Sequence, residues 1–228
     1  MAHTHPNGGQ WGAVAPHMVT QGHWGAGPYG GPVSSPSEIL RRTPRLLIRT
    51  VIEADVIGLH PWLGPDAAWR ATDAPYLPRP SAQDNDSFCA GLVLQARAGT
   101  PERPPRFAAI AERGTDTLLG LLTWYWEARE SDWRRLGIVI YSPEHWRAGL
   151  GTEAFGAWTD YIFATTSAVR LDFATWSGHP GMLGVGRRLG FVQEARFRRA
   201  RVVDGVRHDA IVMGVLREHW RTPPGVGP

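Results

Sequence analysis

Lysine is absent from this chain of 228 residues, so all 24 strong cations are arginines. That excludes a nucleotide-binding loop of the Gly-Lys-Ser/Thr type, in which an ammonium group reaches the phosphates. Cysteine occurs once, at Cys89, which rules out an internal disulfide and a cysteine-built zinc cage and suits a reducing compartment. No apolar run approaches the roughly 20 residues of a membrane helix. The opening MAHTHPNGGQ has neither the basic start nor the apolar stretch of a secretory signal. The expected location is the cytoplasm, with no membrane contact. Charge is missing from residues 1–37 altogether, which hold eight Gly and five Pro and are expected as a flexible tail. The tail histidines, His3, His5, His17 and His23, have no spacing that fixes a metal, and none is expected.

The rest of the chain has what a folded domain needs: 43% apolar residues overall and eleven Trp. The net charge is +3, with 15 Arg against 17 acids over 38–186 and nine Arg against four acids over 187–228. Such a field is too weak to argue for nucleic acid. Residues 38–221 are expected as one domain and 222–228 as a short flexible tail. Periodicity predicts a strand over 45–50, a helix over 53–63, and a helix capped by Ser81 or Asp84 with Phe88, Leu92 and Val93 inward. A meander follows over 107–111, 118–127 and 136–141. The run Trp124, Tyr125, Trp126 sends the two indoles to one face, expected as core, and Tyr125 to the other, where an acceptor pocket could lie. Next come a helix from about 150, a strand over 169–176, a helix over 181–189, and a hairpin of 192–203 and 207–216 turning at Asp204-Gly205. Cys89 falls inside a helix and is expected as core.

The informative segment joins the strand GIVIY to a helix through SPEHWRAGLG. Ala154, Phe155, Trp158, Tyr161 and Ile162 recur on one helical face, so Gly149, Gly151 and Thr152 occupy a strand-to-helix turn. Glycines there let backbone N–H groups approach an anion, and the helix start adds partial positive charge. The dinucleotide fingerprint does not apply, because Ala154 stands near its third glycine and the preceding strand closes an antiparallel meander.

These residues resemble the GNAT superfamily of acyl-CoA-dependent N-acyltransferases, in the branch related to ribosomal-protein N-terminal (alanine) acetyltransferases. The stretches that carry the resemblance are DWRRLGIVIYSPEHWRAGLGTEA, RLDFATWSGHPGMLGVGRRLGF, DGVRHDAIVMGVLREHW and the opening PRLLIRTVIEADVIGLHPWL. Together they span about residues 44–220. The resemblance implies an α+β fold with a mixed, mostly antiparallel sheet flanked by helices. An acyl-CoA cleft would lie between the fourth and fifth family strands, 136–141 and 169–176. It implies acetyl-CoA as acyl donor, an amine acceptor, no metal, and compatibility with a homodimer. The coenzyme pyrophosphate would sit on Trp146, Arg147, Ala148, Gly149, Leu150, Gly151 and Thr152. The pantetheine arm would pair with Val139 and Tyr141, the Val139 amide facing the thioester oxygen.

Several family positions are changed. The Asn and Ser that begin the helix after the fifth family strand are His179 and Met182 here, and Met182 cannot donate a proton. A tyrosine and a glutamate used by some relatives fall at Gly186 and Arg201. His179 is a candidate replacement, able to shuttle a proton or simply to occupy a cap. Glu127, ending the third family strand, is a candidate base or an exposed hairpin carboxylate. The expected function is therefore transfer of an acetyl group from acetyl-CoA to a primary amine by direct attack on the thioester. The alternative is a degenerate acyl-CoA-binding protein, or an RNA-contacting one using Arg196, Arg198, Arg199 and Arg201, which otherwise read as a solvated strand face.

Overall fold

Eight strands and four helices account for most of residues 37–98 and 103–228, which the structure, a computed structural model, describes. The expected tail, with its histidines, lies outside the described residues except for Ser37. In chain order the elements are β1 (Ile39–Arg42), β2 (Leu46–Thr50), α1 (Glu53–Leu59), α2 (Ala82–Ala98), β3 (Phe107–Glu112), β4 (Leu118–Ala128), β5 (Trp133–Ile140), α3 (Leu150–Thr165), β6 (Arg170–Trp176), α4 (Pro180–Arg188), β7 (Val192–Val203) and β8 (Val206–Leu216). They form one sheet in the order β1-β2-β3-β4-β5-β6-β8-β7. Every neighbouring pair is antiparallel except β5 and β6, which run parallel.

Strand alternation divides the apolar residues between two cores. On one face, Leu46 and Ile48 of β2, Ile110 of β3, Leu136 of β5 and Phe173 of β6 pack with Phe155, Trp158 and Ile162 of α3. Trp158 is fully buried and its indole N–H donates to the Thr123 carbonyl at 3.0 Å, so the largest side chain in that core also satisfies its one polar atom. On the other face, Ala109, Leu121, Val139 and Tyr141 pack against Val56 and Leu59 of α1 and Phe88 and Leu92 of α2. Trp124 and Trp126 do share one face, edge to face at 5.2 Å, with the Arg134 guanidinium 4.2 Å from each ring. Tyr125 points the other way, into the cleft described below.

A buried arginine ties the sheet to the helix layer beside it. Arg49 of β2 gives both Nη atoms to Asp55 of α1, at 2.6 and 2.9 Å, and its Nε to Asp116 in the turn after β3 at 2.7 Å. Desolvation opposes this charge and the two carboxylates outweigh it, so its pKa rises. The helix α2 begins on the expected cap: the Ser81 hydroxyl accepts from the Asp84 amide and the Asp84 carboxylate accepts from the Ser81 amide.

Three features depart from the expected pattern. The edge strand β1 is additional. β5 starts at Trp133, three residues before the expected 136, because Arg134 and Arg135 are buried by indoles and carboxylates. Residues 222–228, expected as a flexible tail, are docked instead. Arg42 and Gly227 exchange both backbone hydrogen bonds, at 2.7 and 2.9 Å, and Pro223 lies on α3. A Cβ on Gly156 would stand 2.9 Å from the Pro223 ring, so this helical glycine is what permits the close approach.

Candidate active site

The parallel pairing of β5 with β6 extends over only two positions, Arg134 with Leu171 and Arg135 with Asp172. Past them the strands diverge. β5 stays paired with β4 as far as Ile140, while β6 continues along β8 to Trp176. A buried clamp holds the point of divergence. Asp172 of β6, with no solvent exposure, accepts from Arg135 Nε and Nη2 of β5 at 2.7 and 3.0 Å and from the Trp133 indole at 2.8 Å. The remaining Arg135 nitrogen, Nη1, lies 2.8 Å from Glu127.

That contact places Glu127. Its carboxylate sits at the base of the cleft, tied to Arg135, and is neither an exposed hairpin group nor part of the cleft lining. Burial pushes its pKa up, Arg135 opposes the shift and Asp172 adds to it.

The diverging strands enclose a pocket lined by Leu136, Gly137 and Ile138 of β5, Phe173 to Trp176 of β6, Tyr125 of β4, His179 and Met182 at the start of α4, and Thr72, Asp73, Ala74 and Tyr76 from the loop before α2. The Trp176 indole donates to the Thr72 carbonyl at 3.0 Å and meets the Tyr76 ring edge to face, which fastens that loop to β6. Burial raises the pKa of both Tyr125 and Tyr76, so both phenols stay protonated and can donate. His179 precedes α4 as its N-cap, and its carbonyl accepts from the Leu183 amide. Burial holds its imidazole at about 4, below the ordinary 6.5. A neutral ring at pH 7 can exchange hydrogen bonds with groups in the pocket. Met182 is buried where the branch carries its serine.

The mouth of the cleft is the turn from β5 to α3. Gly149 caps α3 at φ 82°, a left-handed conformation that favours glycine, and Arg147 stands at φ 61°. Glu153 in the first turn of α3 ties the turn to the β1–β2 connection. It accepts from the Thr43 hydroxyl at 2.6 Å and from the Arg45 amide and Nε at 2.9 and 2.8 Å, while Arg45 Nη1 donates to the Ala148 carbonyl at 2.8 Å. Burial raises the Glu153 pKa, but these donors outweigh it and the net shift is downward. The amides of Leu150, Gly151 and Thr152 head the helix and have no intrahelical acceptors. Leu150 itself is a core side chain. The Trp146 amide is already spent on Pro143, and its indole donates to the Ile140 carbonyl at 2.9 Å.

The register also revises the strand side of the site. The Tyr141 amide donates to Leu119 of β4 at 3.0 Å, and Val139, two residues earlier and opposite Leu121, faces β4 in the same way. Their side chains are buried toward α1 and α2. The β5 backbone groups that face the cleft are those of Ile138 and Ile140, whose places in the alternation sequence reading exchanged with Val139 and Tyr141.

A family model described as an acetyltransferase (GNAT) domain matches residues 45–192. The chain belongs to the GNAT acetyltransferase family. Solved structures of similar fold include a GNAT-family acetyltransferase from Bacillus anthracis, with TM-score 0.62, 18% identity, and coverage of 78% of this chain and 98% of that one. A spermidine N-acetyltransferase from Vibrio cholerae in complex with CoA and spermine gives TM-score 0.61 and 15% identity over 76% and 96%. RimL, a ribosomal L7/L12 α-N-protein acetyltransferase, gives TM-score 0.61 and 16% identity over 84% and 99%. No curated protein matches the chain significantly. The fold is thus the GNAT fold, a mixed, mostly antiparallel sheet between helices, with the opening between β5 and β6 at its centre. Among the described residues no helix is long and apolar enough to cross a membrane, and no group of three or more His, Cys, Asp or Glu side chains could hold a metal ion.

Proposed function

We propose that this protein transfers an acetyl group from acetyl-CoA to a primary amine by direct attack of the amine nitrogen on the thioester carbon. The observation that carries this reading is the cleft itself: a length of β5 that diverges from β6 and leads from a glycine-capped helix start to a pocket lined by apolar and polar side chains. The pyrophosphate would rest on the amides of Leu150, Gly151 and Thr152, where the helix start favours negative charge. The pantetheine arm would pair with the backbone of Ile138 and the amide of Ile140, in the place of a strand neighbour, while the Ile140 carbonyl keeps the Trp146 indole. The Ile138 amide would then face the thioester oxygen and stabilise the charge that develops there.

The amine must attack as the free base. An imidazole held at about 4 cannot efficiently strip an alkylammonium, whose pKa lies near 10. The ammonium therefore loses its proton to water, and kcat/KM should climb with pH toward the acceptor's own pKa with no inflection near 6.5. After attack, the C–S bond breaks and the nitrogen gives up a proton as the departing thiolate gains one. Of the two tyrosines that line the pocket, Tyr125 has its hydroxyl buried beside Arg135, and Tyr76 offers the donor that can stabilise that thiolate.

Calorimetric titration with acetyl-CoA followed by thiol release over a panel of amines tests the reading. Binding with acetyl-amide formation supports it, and absence of binding overturns it. The loss of the branch's serine at Met182 favours a second reading, a catalytically degenerate acyl-CoA binder, which tight binding without turnover on any amine would establish.

A further inference from the structure

A second cavity, of about 230 Å³, opens beside the cleft on the face of β6 and β8 opposite α3 and α4. Small residues form much of it: Ala174 of β6, Ala210 of β8 and Ala200 of β7, with Val212 and Phe197 adding apolar wall. It shares Ala174 and Thr175 with the first pocket, so the two lie side by side along β6. The shape comes from a bulge in β7. Pairing with β8 jumps from Phe197 opposite Ala210 to Arg201 opposite His208, leaving residues 198–200 across from Asp209 alone. Arg199 turns the chain there at φ 57°, its amide held by Asp209 at 2.8 Å.

The bulge also sorts the arginines. Arg196 is neutralised by Asp209 at 2.6 Å. Arg201, by contrast, makes no ion pair among the described residues. Its guanidinium lies 4.4 Å over the Tyr76 ring, and its Nε is buried without an acceptor among the described residues. Tyr76 lines the first pocket and Arg201 lines the second, so the guanidinium stands at their junction. A planar guanidinium stacked on an aromatic ring, with a buried donor still to be satisfied, suits a carboxylate. Across the two pockets the lining holds one acidic residue, Asp73, and this one guanidinium. That set matches a zwitterion and poorly matches a polycation.

We propose, building on the acetyltransferase reading, that the acceptor is an α-amino acid with an apolar or aromatic side chain. Its amine enters the first pocket on the Asp73 side, its carboxylate meets Arg201, and its side chain fills the cavity floored by alanines. The amine then lies toward Ile138, where the proposed reading delivers the thioester.

The test uses the full-length protein, acetyl-CoA, and three acceptors: L-phenylalanine, phenethylamine, which keeps the amine and ring but lacks the carboxylate, and spermidine. The expected result is a kcat/KM for L-phenylalanine at least about tenfold above that for phenethylamine, the worth of one charge-assisted hydrogen-bonded contact. Arg201→Gln should raise KM for L-phenylalanine by about tenfold and move KM for phenethylamine by less than about twofold. Ala200→Leu, at an exposed bulge position that tolerates the larger side chain, should lower kcat/KM for L-phenylalanine relative to L-alanine. Equal use of phenethylamine, a preference for spermidine, or an Arg201→Gln effect shared by both acceptors overturns the inference while leaving the acetyltransferase reading in place. Binding of acetyl-CoA without turnover of any of these amines also overturns it. Failure to bind acetyl-CoA removes the acetyltransferase reading and this one with it.

Discussion

His179 shows how one partly buried side chain sets a pH response. The unfolded chain takes up a proton near 6.5 that the folded imidazole accepts only at about 4. Between those values the unfolded state binds more protons, so stability falls as the pH drops through that window and is restored above it. His179→Asn removes this contribution. Denaturant unfolding at pH 7 and pH 4.5 should show the variant losing less stability than the parent, by about 2 kcal/mol. Equal losses would show that the ring is protonated in the fold. The same residue illustrates the reach of sequence: spacing placed His179 in the site, but its proton affinity depends on the side chains that surround it in the pocket. Asp73, Tyr76 and Arg201 were harder to find. The first two sit in a proline-rich loop with no periodicity, and Arg201 follows a bulge that sequence patterning does not reveal.

At the scale of the element, the β5–α3 turn was legible because its requirements are local. Gly149 must be left-handed, and an apolar face must begin just after it. Gly149→Glu is expected to abolish acetyl-CoA binding in a calorimetric titration, since the side chain strains the backbone and sets a carboxylate where phosphate oxygens would lie. Unchanged affinity would move the cofactor site elsewhere. The assignment of Val139 and Tyr141 to the cleft shows what local reading misses. A strand's two edges alternate residue by residue, and which parity faces β4 is decided by register, which depends on a strand distant in the sequence. β1 escaped notice for a related reason: its four residues, ILRR, gain strand character from pairing with β2 and from the Arg41–Asp160 contact with α3.

Across the whole molecule, two long-range attachments carry predictions. Asp172 joins the halves of the sheet where they share only two residue pairs, and its removal takes from the buried Arg135 charge the carboxylate that accepts two of its hydrogen bonds. Asp172→Ala should cost about 3–5 kcal/mol, read as a shift of the urea midpoint. If the cleft is the cofactor site, the same substitution should weaken acetyl-CoA binding, whereas a substitution at Arg49, which is equally buried but remote from the cleft, should lower stability and spare that affinity. At the other edge, deletion of residues 222–228 removes the Arg42–Gly227 bridge and uncovers Gly156 of α3. The expected outcome is a lower Tm, by a few degrees per kcal/mol lost; an unaltered melting curve would mean that the docked segment adds nothing.

The divergence of β5 from β6 has one more consequence. An open strand edge in the middle of a sheet is a template, and whatever lies along it inherits the geometry of a strand. On the proposed reading the pantetheine arm is therefore a removable ninth member of the sheet, whose amides take the places a polypeptide neighbour would hold. Loading the enzyme would then complete its architecture as well as supply its reagent. Hydrogen exchange would register this as slowing at Ile138 and Ile140, with Val139 and Tyr141, already bonded to β4, slow in both states.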